Sequence, residues 1–221
     1  MNKQEMTKRY ITLLVGLFLI SMGIALTKHA ELGVSPVSSV GNVLSIRFDC
    51  LTLGGWLTVT NCLMILCQIV LLRKNFSPIQ FLQFPVSVLS GYFTDICLYM
   101  ISPIGTDAYF TRLILLIAGV VVLAMGISVT VIANTIVNPA EGIVKAIAIV
   151  SNKGFGDIKT AFDVSWVALA VVISLILFDF ELMGVREGTI IAAFLTGYAV
   201  KFWNKRLTPP LNRIFAKKVA K

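Results

Sequence analysis

The chain is 221 residues long, 57% hydrophobic and 14% charged, with a mean hydropathy of +0.88 and a formal charge of +8. That composition excludes an ordinary soluble domain and points to a protein that crosses a bilayer several times. The positive excess is no nucleic-acid footprint. Lys3, Lys8 and Arg9 precede the first apolar run, Lys201, Lys205, Arg206, Arg213, Lys217, Lys218 and Lys221 follow the last, and no aromatic or glycine motif is interleaved.

The first apolar run, Tyr10–Lys28, has the basic start of a signal peptide but no convincing small-x-small cleavage site, so it reads as a retained span. After it comes an extended lead-in, Ala30–Ser35, and a short apolar stretch, Pro36–Ile46. Two more span-length runs follow, Gly54–Leu72 and Pro78–Met100, then Phe110–Ala133. The pattern then recurs as a lead-in, Asn134–Asn138, a short stretch, Pro139–Val150, and two further runs, Thr160–Phe178 and Arg186–Asn204. Six runs are long enough for a hydrocarbon core of about 30 Å, which takes roughly 20 helical residues. Each short stretch, about a dozen residues or ~18 Å as a helix, is not.

The two short stretches sit in matching surroundings. GIALTKHAELGVSPVSSVGNVLSI (Gly23–Ile46) aligns without a gap on GISVTVIANTIVNPAEGIVKAIAI (Gly126–Ile149), an offset of 103 residues. Gly23/Gly126, Ile24/Ile127, Thr27/Thr130, Ala30/Ala133, Val34/Val137 and Pro36/Pro139 are identical, and Ser35/Asn138 are both N-cap types. Gly54/Gly156, Thr58/Thr160 and Asn61/Asp163 correspond further on, as do Leu89–Tyr92 and Leu195–Tyr198. This reads as an internal duplication, with repeats at 10–101 and 110–204 in a single membrane domain over 1–221.

The expected fold is an all-α polytopic membrane protein. In one arrangement it has six full spans plus two short re-entrant or broken helices, with the two repeats inverted. In the other, the short stretches cross with their lead-ins, giving eight spans as two parallel repeats of four. Arg73-Lys74 lies in a very short loop at a span end, where basic residues mark the cytoplasmic side, and this favours re-entrance. The terminal charges then put both termini in the cytoplasm.

The blocks GIALTKHAELGVSP, LTLGG and LQFPVSVLSGYFTD, with GVREGTIIAAFLTGY at Gly184–Tyr198, resemble the YczE/YitT-type bacterial integral membrane proteins. The resemblance covers nearly the whole chain. The second half departs from its most specific piece, A-x-L-G-x-S-P, since Asn134–Pro139 has no Leu-Gly pair. What the resemblance implies is a multi-pass cytoplasmic-membrane protein with a transport-like role, and no particular substrate.

Function should sit at the two breaks. A helix interrupted inside a bilayer frees backbone groups that lipid cannot satisfy, so such breaks persist where they line a cavity. Helices starting at Pro36 and Pro139 would offer free amides and a positive dipole end. Asn138 suits the N-cap, Pro139 the first helical position, and Glu141 the third, from which it can reach back to the cap. Glu141 and Lys145 are four apart, which suits either a responsive carboxylate with a basic neighbour or a closed ion pair. The expected substrate-binding set is Ser35, Pro36, Ser38, Asn61, Gln83, Asn134, Asn138, Pro139, Glu141 and Asp163. Asp163 has a structural alternative, pairing with Lys159, and Asp95 would need a counter-charge if buried, for which Arg112 is a candidate.

Three functions suit these features. The first is a small secondary transporter or facilitator for a small polar solute, anionic or zwitterionic. The second is a substrate-capture subunit of a multi-component importer. The third is a non-transporting membrane scaffold or assembly factor. The bilayer and a small-molecule solute are the expected partners, and a homo-oligomer is compatible. With one His, His29, no C-x-x-C among Cys50, Cys62, Cys67 and Cys97, and no nucleophile–base set, neither enzyme chemistry nor a metal or cofactor is expected.

Overall fold

A computed structural model describes residues 3–216. Among them are eight α-helices and no strand: α1 (Lys3–His29), α2 (Ser39–Arg47), α3 (Leu53–Leu72), α4 (Gln83–Ile101), α5 (Tyr109–Ala133), α6 (Pro139–Ser151), α7 (Phe155–Leu177) and α8 (Glu187–Ala216). By length and apolarity, five helical stretches can cross a membrane: Lys3–His29, Leu53–Asn75, Pro78–Ile101, Tyr109–Ala133 and Asp157–Leu177. The sixth expected run, Arg186–Asn204, falls in the first part of α8 from Glu187 onward; α8 is 30 residues long but is not among those five. The two short stretches form helices of 9 and 13 residues, with one 3₁₀ turn, Pro36–Ser38, preceding α2.

Asparagine and glycine chemistry marks the ends of the second-half helices. Asn134 and Asn152 adopt left-handed backbone at the ends of α5 and α6 (φ 48° and 53°), a conformation Asn tolerates better than most residues. At the start of α3, the Thr52 side chain accepts the Gly55 N–H. Asp95, from α4, completes that cap: Oδ1 accepts the Gly54 N–H at 2.9 Å and Oδ2 accepts the Thr52 hydroxyl at 2.6 Å. The counter-charge expected for Asp95 is therefore the start of a helix rather than Arg112. Arg112 is engaged elsewhere, with Glu31 at 3.2 Å and the Thr106 carbonyl.

The centre of the molecule is the α1–α5 pair. Half of the apolar window of α1 and 56% of that of α5 are buried inside the protein, against 11% for α7. The remaining spans show apolar side chains to the outside, as lipid requires: Val59, Leu63 and Leu66 on α3, Tyr92 and Ile96 on α4, Val172 and Ile176 on α7.

Glycine lets α1 and α5 approach backbone to backbone. A Cβ on Gly23 would come within 2.5 Å of the Leu123 nitrogen, and one on Gly126 within 2.6 Å of the Ile20 nitrogen. Farther out, Gly16 lies against Thr130 and Gly119 against Thr27. Positions rise along one helix as they fall along the other, so the two run antiparallel. Each contact also has a partner at the 103-residue offset: Gly16–Thr130 matches Gly119–Thr27, and Ile20–Gly126 matches Leu123–Gly23. The ends follow the same rule. Arg9 donates to the Ala133 carbonyl at 3.0 Å, where a cation suits a helix C-terminus, and Arg112, 103 residues on, pairs with Glu31 just past the end of α1.

Around this pair α4 packs on α1 and α8 on α5, while α3 packs on α6 and α7 on α2. One correspondence is broken. Gly91 of α4 sits tight against α3, where a Cβ would meet Thr58 Oγ1 at 2.3 Å and the Gly54 carbonyl at 2.5 Å. Its counterpart Gly197 on α8 has nothing within 4 Å, and α7 makes no comparable contact with α8. The four cysteines are free thiols, and only Cys97 is buried.

Candidate functional site

The first break is closed. Gly33 takes φ 142°, which L side chains rarely adopt, and lets the lead-in press onto the start of α8, where a Cβ would meet the Thr189 nitrogen at 2.4 Å. Gly188 donates its N–H to the Leu32 carbonyl (2.8 Å), and the Thr189 hydroxyl accepts from Val34 N–H (3.2 Å). Ser38 Oγ donates to the Ser35 carbonyl (2.9 Å), which leaves Ser35 Oγ to donate to Ser38 Oγ (2.8 Å). Ser39 Oγ donates to the Pro36 carbonyl. The polar groups freed by this break are spent on one another and on α8.

The second break is open. Its chain turns at Asn134, runs through Thr135–Asn138 and enters α6 with Asn138 extended (φ −60°, ψ 140°), Pro139 first and the Gly142 N–H closing on the Asn138 carbonyl at 2.8 Å. The cap is in the expected place, but the Asn138 side chain makes no capping bond. Beside it lies a cavity of about 190 Å³ between the last turn of α5, the lead-in and the first two turns of α6. Thr130, Asn134, Thr135, Asn138, Glu141 and Lys145 supply its polar lining. It has room for several waters or one small organic solute.

Two buried oxygens at this cavity, Glu141 Oε2 and Thr135 Oγ1, have no hydrogen-bond partner. Buried polar atoms are nearly always paired. Among the described residues Asn42 Oδ1 on α2 and Asn204 Oδ1 on α8 also lack a partner, so what marks this pair is that both lie at one cavity. Glu141 and Lys145 form no ion pair within 4 Å, although their spacing and order favour one. Lys159 and Asp163, the charges on α7 within coulombic range of Glu141, are 2.7 Å apart and satisfy each other.

Below the cavity a reciprocal amide pair holds the start of α6. Gln68 Nε2 donates to Gln83 Oε1 (3.1 Å) and to the Pro139 carbonyl (3.2 Å), and Gln83 Nε2 returns a bond to Gln68 Oε1 (3.2 Å). Both glutamines are buried, and Gly142 leaves room for Gln68, which would lie 2.5 Å from a Cβ there. The second break is held by Gln68 near the end of α3, which Gln83 at the start of α4 braces, and the first by the start of α8. Between the breaks, Val37 and Ala140 join one apolar cluster with Met64, Ile143, Phe162 and Trp166. The Trp166 indole also donates to the Val37 carbonyl at 2.9 Å.

The expected residues thus fall into groups. Asn134, Asn138 and Glu141 line the cavity, and Pro139 is buried at the helix start that Gln68 and Gln83 hold. Ser35, Pro36 and Ser38 are buried at the closed break, Asp163 is tied to Lys159, and Asn61 is half-buried on α3. Three contributors were missed. Gln68 had a signal, an amide within an apolar span; Thr135 was hidden among lead-in residues; Arg9 was read only as a flanking charge.

Over 220 residues, 99% of this chain and 95% of the relative, the sequence is 26% identical to the uncharacterized membrane protein YczE of Bacillus subtilis (strain 168). It is 27% identical over 122 residues, 55% of this chain and 59% of the relative, to the uncharacterized protein YyaS of the same organism. No solved structure matches. A family profile matches residues 7–205, and with it the resemblance read from the blocks around Ala30–Pro36 becomes a membership: the chain belongs to the family of unknown function DUF6198.

Proposed function

We propose that this membrane protein is a small secondary transporter or facilitator, and that its polar solute binds at the start of α6. The observation that carries the reading is the sealed, unpartnered Glu141 Oε2 at an open cavity, beside a helix start. A buried carboxylate oxygen without a donor is a cost that an incoming N–H or O–H removes.

The scaffold supports the reading. The antiparallel α1–α5 contact, matched position for position at the 103-residue offset, supports two inverted repeats over parallel ones. In that arrangement α8 is a sixth span, and α2 and α6 re-enter from opposite faces to meet at Val37 and Ala140. Transporters with inverted repeats place their sites at such broken helices and alternate access by rocking one half on the other. The site binds and releases, with no bond made or broken.

The test is uptake by the purified chain in proteoliposomes, using solutes first selected by thermal stabilisation. Glu141→Gln should cut uptake at least about tenfold, the worth of one charge-assisted hydrogen bond. Uptake untouched by both Glu141→Gln and Thr135→Val would remove the site. Tight binding without uptake would favour a capture subunit, and neither binding nor uptake a scaffold.

A further inference from the structure

Resting on that reading, the geometry points to the chemical class of the solute: we infer that the α6 cavity takes a small zwitterion, its ammonium on Glu141 and its carboxylate toward Lys145. Glu141 and Lys145 stand one turn apart on the same helix, both line the cavity, and they do not pair with each other. An i,i+4 Glu–Lys pair in this order ordinarily closes where nothing intervenes. Here the acid is sunk, with Oε2 sealed from solvent, while Lys145 is exposed.

The neighbouring charges do not complete either partner. Lys159 is taken by Asp163 at 2.7 Å, and Arg9 by Glu5 and the Ala133 carbonyl at 3.0 Å each. Glu141 Oε2 is left without a donor, and the Lys145 ammonium stands at the exposed rim of the same cavity with no acid engaging it. A single-charge solute would satisfy one of them only. An amine alone would leave the ammonium of Lys145 facing the cavity without an anion. A carboxylate alone would face the buried carboxylate of Glu141. A molecule carrying both charges a few bonds apart satisfies both. The amide of Asn138 and the hydroxyl of Thr135 add neutral hydrogen-bonding groups to the same wall. The volume, about 190 Å³, is enough for a solute of amino-acid size.

The experiment measures equilibrium binding to the full chain in detergent or nanodiscs. The probes are glycine, β-alanine, 4-aminobutyrate and 5-aminovalerate, with n-butylamine and butyrate as single-charge controls. The inference expects at least one amino acid of this series to bind about tenfold or more tightly than either control. Glu141→Gln should erase the advantage over butyrate, and Lys145→Met the advantage over butylamine. It is overturned if butylamine or butyrate matches the best amino acid, if no member binds the unmodified chain, or if Lys145→Met leaves the ranking unchanged. Butylamine binding that Glu141→Gln abolishes would sink the zwitterion and leave the transport site standing. Any solute taken up independently of Glu141 would sink that site itself.

Discussion

At the scale of single residues, polar side chains inside this protein do one of two jobs, and their hydrogen bonds tell them apart. Asp95 is fully engaged, with one oxygen on Gly54 N–H and the other on the Thr52 hydroxyl. Glu141 has a sealed oxygen engaged by nothing. Sequence could rank both as costly intramembrane acids but could not separate them, because the partners of Asp95 lie 41 and 43 positions away on another helix. The distinction is testable. Asp95→Ala removes a helix cap, a loss of about 1–2 kcal/mol, and should lower the midpoint of thermal unfolding in detergent. Asp95→Asn keeps an acceptor for Gly54 and should recover part of that loss. Glu141→Gln should leave the midpoint nearly unchanged while removing solute binding. A reversed pattern would mean that the capping acid is the working one.

Between elements, the decisive contacts are made by residues that have no side chain. The offset that pairs Gly23 with Gly126 was legible from the sequence, and so was their small size. That the two glycines lie on helices packed against each other was not, because periodicity along one helix says nothing of its partner. The contact makes a graded prediction. Gly23→Leu and Gly126→Leu would each drive a side chain into opposing backbone at about 2.5 Å and should abolish accumulation of folded protein in the membrane. Gly197→Leu, whose Cβ meets nothing within 4 Å, should be tolerated. Sequence alone would rank Gly91 and Gly197 as equals, since both stand in a Ser/Thr-Gly-Tyr context. The structure separates them through α3, which lies on Gly91, where α7 leaves Gly197 bare. Measuring yield and monodispersity of these three variants and of Gly91→Leu, which should fail like the first two, would check this. Equal loss at Gly91 and Gly197 would mean that α7 closes on α8 in the working protein.

For the molecule as a whole, the two breaks are alike in sequence and unlike in state, one clasped shut by Gly188 and Thr189, the other holding a cavity. The sequence showed the likeness because glycine, threonine and proline recur in register. It could not show the difference, which depends on how the start of α8 presses on Gly33 while Gln68 and Gln83 hold Pro139 from beneath. In the proposed transporter, two inverted repeats in unlike states would suit alternating access, since exchanging the two conformations would exchange the open side. The side now open is the one where Arg9 meets Ala133 and Lys8 meets the Ile214 carbonyl, the end that carries the basic termini. On the proposed reading, with those termini in the cytoplasm, the cavity would face inward, Asp49 would lie outside and Asn75 inside. Parallel repeats of four would reverse Asp49 and Asn75. The check starts from a chain with all four cysteines replaced by serine, because exposed Cys50 adjoins Asp49. In intact cells, Asp49→Cys should react with a membrane-impermeant maleimide. Asn75→Cys should react only after permeabilisation, and so should Asn134→Cys at the cavity mouth, where bound solute should protect it. Labelling of Asn134→Cys from outside that solute does not suppress would place the cavity on the wrong face, and inward opening would have to be given up.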